Sequence, residues 1–139
     1  ELTRAEILAR HKAAVDAGKR SAIFGLNSFA EGIDLPGAYC THVIICKLPF
    51  PVPDDPLFEG TCEWLERNGR DPFAELSVPE AALRLVQACG RLIRSESDRG
   101  RITVLDRRLV TKRYGRQILD SLPPFARSIE PLSALQRAT

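Results

Sequence analysis

Residues 78–94 read VPEAALRLVQACGRLIR, and this stretch decides the fold because it predicts one long amphipathic helix. Pro79 suits the first turn of a helix, where its missing N–H does no harm, and we expect the helix to run to about Ser95. Side chains three or four positions apart share one face of a helix. The apolar face, which can anchor the helix to a core, carries Ala82, Leu85, Val86, Cys89 and Ile93.

The opposite face of this predicted helix is polar and basic. It carries, at helical spacing, Arg84, Gln87, Arg91 and Arg94. Guanidinium and amide donors on a rigid element suit an anionic ligand, such as a triphosphate or a nucleic-acid backbone. Gly90 costs about 1 kcal/mol in a helix interior relative to alanine. We therefore expect another backbone or a ligand to come close at Gly90.

The rest of the sequence alternates predicted helices and strands. Helices are predicted over residues 3–18, 56–68 and 111–121, and strands over 21–26, 42–48 and 102–105. Thr3 and Glu6 form a capping box at the first helix, and residues 42–48 form a continuous apolar run typical of a buried parallel strand. Residues 106–108 are expected to close the last strand, with Arg108 in an internal pair. This order predicts an α/β fold, a parallel sheet with flanking helices.

The charges are unevenly distributed, although the 139 residues carry a formal net charge of only +2. Residues 54–83 hold eight acidic and two basic side chains, whereas residues 84–116 hold ten basic and three acidic ones. A basic block around an anion-binding helix indicates phosphate or nucleic acid as a ligand. A solvated basic face would give the same pattern.

Several absences in the sequence shape the expected setting of this chain. No run approaches the roughly 18 apolar residues of a membrane span and no signal peptide is seen, so we expect a cytoplasmic protein without a membrane partner. The GxxxxGK[ST] phosphate loop is missing, because Ala13 stands where the glycine before Gly18-Lys19 would be. With no methionine in the chain, we expect a fragment of a larger protein.

The four cysteines do not predict a metal site. Cys40, Cys46, Cys62 and Cys89 contain no CxxC pair, and the two histidines do not complete a zinc pattern. We expect Cys46 and Cys89 in the core because both lie in apolar patterns. A thiol hydrolase that uses Cys89 and His42 is disfavoured, because Cys89 lies on the apolar helix face and no orienting acid is identifiable.

Three stretches resemble one family of motor proteins. They are SFAEGIDLPG at 28–37, QACGRLIRSESDRG at 87–100 and LDRRLVTKRYG at 105–115. The first resembles motif V of the XPD/DinG branch of superfamily 2 helicases, and the second resembles the QxxGRxIR motif, motif VI. In this order, the three stretches resemble the C-terminal part of a bacterial DinG-type ATP-dependent DNA helicase. The resemblance implies a role in DNA repair. The resemblance implies a partial RecA-like (P-loop NTPase-type) second helicase domain over residues 1–124, with a tail over 125–139.

The resemblance also implies a nucleotide site shared with the first RecA-like domain of the same protein, which would hold most of the ATP and Mg²⁺. The implied arginine fingers are Arg91 and Arg94, of which Arg94 is preferred, and the implied nucleotide-binding residues are Gln87, Gly32, Asp34 and Glu31. The fragment alone should then be inactive. Two alternatives stay open: the arginines form surface pairs with Glu96 and Asp98, and Asp34 only caps the turn before Pro36.

Single-stranded DNA is the second partner that the resemblance implies. Its candidate contacts are Asn27, Ser28, Lys112, Arg113 and Tyr114, since basic side chains bind phosphates and an aromatic ring stacks on bases. A solvated helix end would explain residues 111–114 equally well, and a non-catalytic nucleic-acid-binding module is the alternative function. Many relatives carry a four-cysteine iron–sulfur cluster in the first motor half, and none of the cysteines here matches it.

Overall fold

The computed structural model describes residues 2–26, 32–52, 54–92 and 99–131. The helices are α1 (Arg4–Asp16), α2 (Pro56–Arg67), α3 (Val78–Cys89), α4 (Arg108–Thr111) and α5 (Arg113–Asp120). The strands are β1 (His42–Ile45) and β2 (Arg101–Val104). A short 3₁₀ turn covers Gly37–Tyr39, and a π-helical turn, Phe73–Ser77, runs directly into α3.

The described sheet consists of two parallel strands. His42 lies opposite Arg101 and Ile45 opposite Val104. Backbone hydrogen bonds of 2.9 Å continue the ladder at both ends, from the Arg101 amide to the Thr41 carbonyl and from the Leu105 amide to the Ile45 carbonyl. The predicted α/β class with a parallel sheet and flanking helices is confirmed.

Helix α3 forms the centre of the core. Its apolar residues recur at the predicted helical spacing, and the fully buried ones include Val78, Leu85 and Cys89. They pack with Leu48 after β1 and with Leu109 and Ile118 from α4 and α5. Partly buried side chains of both strands complete the cluster, namely Ile45, Ile102 and Val104. The core therefore joins α3 to the sheet and to the last two helices.

Asp106 closes the sheet at the carboxyl ends of the strands, as predicted. Its carboxylate accepts a 2.9 Å hydrogen bond from the Leu48 amide and a 2.6 Å bond from the Arg108 guanidinium. The hydrogen bonds from Arg108 hold the pKa of Asp106 well below its ordinary value, and the Leu48 amide acts in the same direction. One carboxylate thus links the segment after β1 to the start of α4.

Two glycines allow close packing. A Cβ at Gly115 would lie 2.6 Å from the carbonyl carbon of Leu109 and 2.7 Å from the Arg108 oxygen, so α5 can only approach α4 with glycine there. A Cβ at Gly100 would lie 2.6 Å from Cδ1 of Leu92 and 2.8 Å from the Thr41 oxygen. Leu92 is therefore seated at the amino ends of the two strands.

Several predicted boundaries were wrong. Residues 21–26 form no strand in the described structure, with Phe24 95% and Leu26 80% exposed. Their local pattern favours a strand, but a strand also needs a hydrogen-bonded neighbour. Helix α3 ends at Cys89 with Gly90 as its C-cap, so Arg91 lies beyond the helix. No other described element approaches Gly90, whose Cβ position contacts only the carbonyls of its own helix.

Two further predictions are corrected at the level of single residues. Cys46 is exposed, because it continues the alternation of β1, in which His42 and Ile44 are exposed and Val43 and Ile45 are partly buried. The helix predicted over 111–121 is divided into α4 and α5 by Lys112, whose φ of −106° and ψ of 146° are extended rather than helical. After this break, glycine at position 115 lets the backbone of α5 pass close to the carbonyls of Arg108 and Leu109.

Candidate functional site

Arg91 joins two parts of the chain that are far apart in sequence. Its Nη1 donates a hydrogen bond of 3.4 Å to the backbone carbonyl of Ile33, 58 positions away. The side chain is half-buried, and its neighbours Cys89 and Leu92 are buried at 1% and 4% exposure. A backbone anchored on both sides of Arg91 holds the guanidinium against the loop around Ile33.

This loop turns sharply at Gly32, which has a φ of +73°. Only glycine adopts that conformation without strain. A Cβ at Gly32 would lie 3.5 Å from Nη2 of Arg4, so α1 also approaches the loop. Asp34, two residues further on, is exposed. Two arginines from different parts of the chain thus lie near the segment that was predicted to bind nucleotide.

The structure brings together some of the predicted nucleotide-site residues. Arg91 lies at the loop that contains Gly32 and Asp34, and Gln87 is exposed on α3, one turn before Arg91. The other predicted residues, Asn27, Ser28, Glu31 and Arg94, lie outside the described residues. The strand predicted over residues 21–26, which directly precede the motif V stretch, is not formed in the described structure.

Of the predicted nucleic-acid residues, Tyr114 belongs to an aromatic cluster that packs against the core. Tyr114 packs edge-on against Phe50 and Phe73, with ring centroids 5.7 and 5.2 Å away. The guanidinium of Arg108 lies over the Phe50 ring at 5.3 Å. Lys112 and Arg113 are exposed at the start of α5. Sequence reasoning missed Phe50 and Phe73, because only the fold brings these separate segments to Tyr114.

His11 was also missed as a functional candidate. Among the described residues, His11 is a polar residue that is buried, with 8% of its surface exposed. Its Nδ1 lies 2.8 Å from Oγ of Ser21 and its Nε2 lies 2.8 Å from the carbonyl oxygen of Tyr39. The Tyr39 hydroxyl donates to Asp16 at 2.8 Å, and this hydrogen bond raises the pKa of Tyr39. In the sequence, His11 recurs with apolar residues at helical spacing, which predicts that its side chain is buried but gives no functional role.

The cysteines and metal-ligating side chains offer no second site in the part of the chain that the structure describes. Burial raises the pKa of the Cys89 thiol, which disfavours the nucleophilic thiolate. His42 is exposed and bonds Oγ1 of Thr103 at 2.9 Å. No group of three or more His, Cys, Asp or Glu side chains among these residues could hold a metal ion.

The helices of the described residues were also compared with the length and hydropathy of a membrane span, and none of them reaches both.

The class of this protein follows from a protein-family match over most of the chain, which agrees with the α/β fold. The family model described as the Helicase C-terminal domain matches residues 1–125. The chain therefore belongs to the family of helicase C-terminal domains, which have a RecA-like fold.

Individual relatives agree with this family. The chain is similar to the ATP-dependent DNA helicase DinG of Photobacterium profundum, with 50% identity over 130 residues, 94% of this chain and 19% of that protein. The DinG proteins of Salmonella typhimurium and Escherichia coli are 44% and 43% identical over 122 residues, 88% of this chain and 17% of each. The predicted resemblance to DinG-type helicases is confirmed. The chain spans less than a fifth of the length of these relatives.

Proposed function

We propose that this chain supplies the motif V loop and the motif VI arginines to a nucleotide site shared with a first RecA-like domain of a DinG-type, ATP-dependent DNA helicase. The observation that carries the proposal is the hydrogen bond from Arg91 to the Ile33 carbonyl, because it unites the two motifs at one place. The relatives named above are ATP-dependent DNA helicases.

The proposed chemistry is charge stabilisation during phosphoryl transfer. Negative charge spreads over the transferred group in the transition state, and an arginine delivered from a second domain is worth on the order of 10³–10⁵ in turnover. Arg91 is held by buried neighbours and donates to the neutral carbonyl of Ile33, and its guanidinium stays charged at any physiological pH. Arg94, which the resemblance favours, is the other candidate finger, and Gln87 orients the nucleotide or the attacking water.

The motif V loop is proposed to connect nucleotide closure to DNA. Gly32 lets the backbone turn close to the ligand, and Glu31 and Asp34 are its acidic members. ATP and Mg²⁺ would be held mainly by the first domain, whose phosphate loop this chain lacks. The chain alone is then inactive, because it supplies half of the site.

Single-stranded DNA is the proposed polymer ligand. Lys112 and Arg113 are exposed at the start of α5, within the basic block of the sequence, and Tyr114 offers a ring beside them. Asn27 and Ser28 would add donors to the phosphates. The proposed setting is DNA repair in the bacterial cytoplasm.

The alternative function, a nucleic-acid-binding module without catalysis, uses the same basic residues and no arginine finger. The two functions are separated by Arg91→Ala in the full-length helicase, with Arg67→Ala as the control because Arg67 is exposed on α2 and paired with Glu63. We expect Arg91→Ala to lower DNA-stimulated ATPase turnover at least 10³-fold, with Arg67→Ala near wild type. Normal turnover of Arg91→Ala, or Arg91-dependent ATPase activity of this chain alone, would overturn the proposal.

A further inference from the structure

His11 has no role in the phosphoryl-transfer chemistry proposed above. It lies on α1, none of whose described residues belongs to the core cluster around α3. Its ring is nevertheless buried, and both ring nitrogens have hydrogen-bond partners. Both nitrogens of this buried imidazole are hydrogen-bonded, although its helix contributes nothing to the core cluster. The hydrogen bonds of His11 therefore serve to hold the neighbouring segments in place.

The two partners of His11 lie on either side of the motif V loop. Ser21 precedes the loop and Tyr39 follows it, so a single side chain holds both ends of the segment that carries Gly32 and Ile33. Because a carbonyl oxygen only accepts, Nε2 carries the proton toward Tyr39, and in the neutral ring Nδ1 accepts from the Ser21 hydroxyl.

Other side chains of α1 support the same loop. Asp16 accepts from the Tyr39 hydroxyl at 2.8 Å, and Nζ of Lys12 lies 5.6 Å from the centre of the Tyr39 ring. Arg4 lies against the turn at Gly32. Helix α1 therefore contacts the loop along its length through polar groups.

We propose that His11 is a positioning residue, which closes the base of the motif V loop and thereby sets the position of Ile33 against Arg91. The effect on turnover rests on the proposed function, whereas the effect on the loop does not. A displaced loop would misplace the finger in the transition state, and a misplacement of about 1 Å can cost on the order of 10²-fold in rate.

The test uses the full-length helicase with His11→Leu, which removes both hydrogen bonds, and His11→Gln, which keeps one donor and one acceptor. His42→Gln is the matched control, because His42 is exposed and bonds only Thr103 in the described contacts. Hydrogen–deuterium exchange is followed in peptides covering residues 19–26, 32–41 and 78–92, and steady-state ATPase kinetics are measured with saturating single-stranded DNA.

We expect His11→Leu to speed exchange in the two loop peptides and not in residues 78–92. We also expect kcat to fall about tenfold to a hundredfold with KM for ATP unchanged. His11→Gln should restore most of the slow loop exchange and most of kcat.

Unchanged loop exchange in His11→Leu would overturn the inference, as would exchange that rises equally in residues 78–92. If His11→Leu does not fold, Ser21→Ala removes one of the two bonds and must show a smaller increase confined to the loop. Faster loop exchange together with normal turnover of Arg91→Ala would instead contradict the proposed function alone.

Discussion

Arg91 and Ile33, 58 positions apart, are joined by a hydrogen bond from Nη1 to the backbone carbonyl at 3.4 Å. This contact places the residue after the central helix against a loop outside the core.

Asp106 is expected to stabilise the fold because it is 7% exposed and bonds both Leu48 and Arg108. Asp106→Asn should lower the free energy of unfolding by about 2 kcal/mol, since hydrogen bonds to a buried charge are lost. The measurement is urea unfolding of the variant beside Asp120→Asn, whose carboxylate is exposed and 3.9 Å from its partners. The control should change stability by about 0.5 kcal/mol or less. Equal effects of the two substitutions would contradict the assignment.

The same carboxylate predicts a dependence of stability on pH. The pKa of Asp106 lies below its ordinary value of 3.8 in the folded state, so the unfolded chain binds a proton first as the pH falls. Its contribution is therefore complete well above pH 3.8 and is lost as the pH falls from 3.8 toward the lowered folded pKa. Urea midpoints of wild type and Asp106→Asn should differ at about pH 6 and converge in acid. A difference that stays constant below pH 3.8 would show that Asp106 is not the group responsible.

Gly115 should not tolerate a side chain. Gly115→Ala places a methyl group against the Leu109 and Arg108 carbonyls, which are backbone atoms that cannot rotate away, and should cost about 3 kcal/mol. Gly60→Ala is the matched control, because Gly60 lies within α2 with no described atom within 4 Å of its Cβ position. It should stabilise the protein by about 0.5–1 kcal/mol. Thermal unfolding measures both, and a Gly115→Ala variant as stable as wild type would refute the close approach of α5 to α4.

The cysteines should react with iodoacetamide in the order of their exposure. Cys46 is exposed and should be modified first, whereas Cys89 is buried with a raised thiol pKa and should react only as the protein unfolds. Peptide mass spectrometry over time gives the order, and Cys40 and Cys62 should fall between them. Early modification of Cys89 would contradict its place in the core.

The basic start of α5 should contribute to binding of single-stranded DNA in proportion to its charge. Replacing Lys112 and Arg113 by glutamine should weaken binding and reduce the slope of log K against log salt concentration by about 1.4, or about 0.7 for each lost phosphate contact. Arg67→Gln is the control, because Arg67 is exposed on the acidic helix α2 and paired with Glu63. An unchanged slope in the double variant would place the DNA elsewhere.

Much of the candidate site could be predicted from motifs, and part of its geometry could not. The motif resemblance brought Arg91 and Gly32 into one predicted site, and the structure places them at one loop. The end of α3 at Cys89 and the unpaired state of residues 21–26 were not predictable, because helix ends and strand pairing depend on neighbours that are distant in sequence. The role of His11 depends on Ser21 and Tyr39 together, which no local pattern links.

Features that arise within a few residues could be read from the sequence: the capping box at Thr3 and the helical face that buries Leu85 and Cys89. Backbone hydrogen bonds and side-chain spacing along one element are local, so their pattern is visible in the chain. The contact of Arg91 with Ile33, and those of Phe50 and Phe73 with Tyr114, are seen only in the folded chain. They join segments that are far apart in sequence, and no local pattern links such segments.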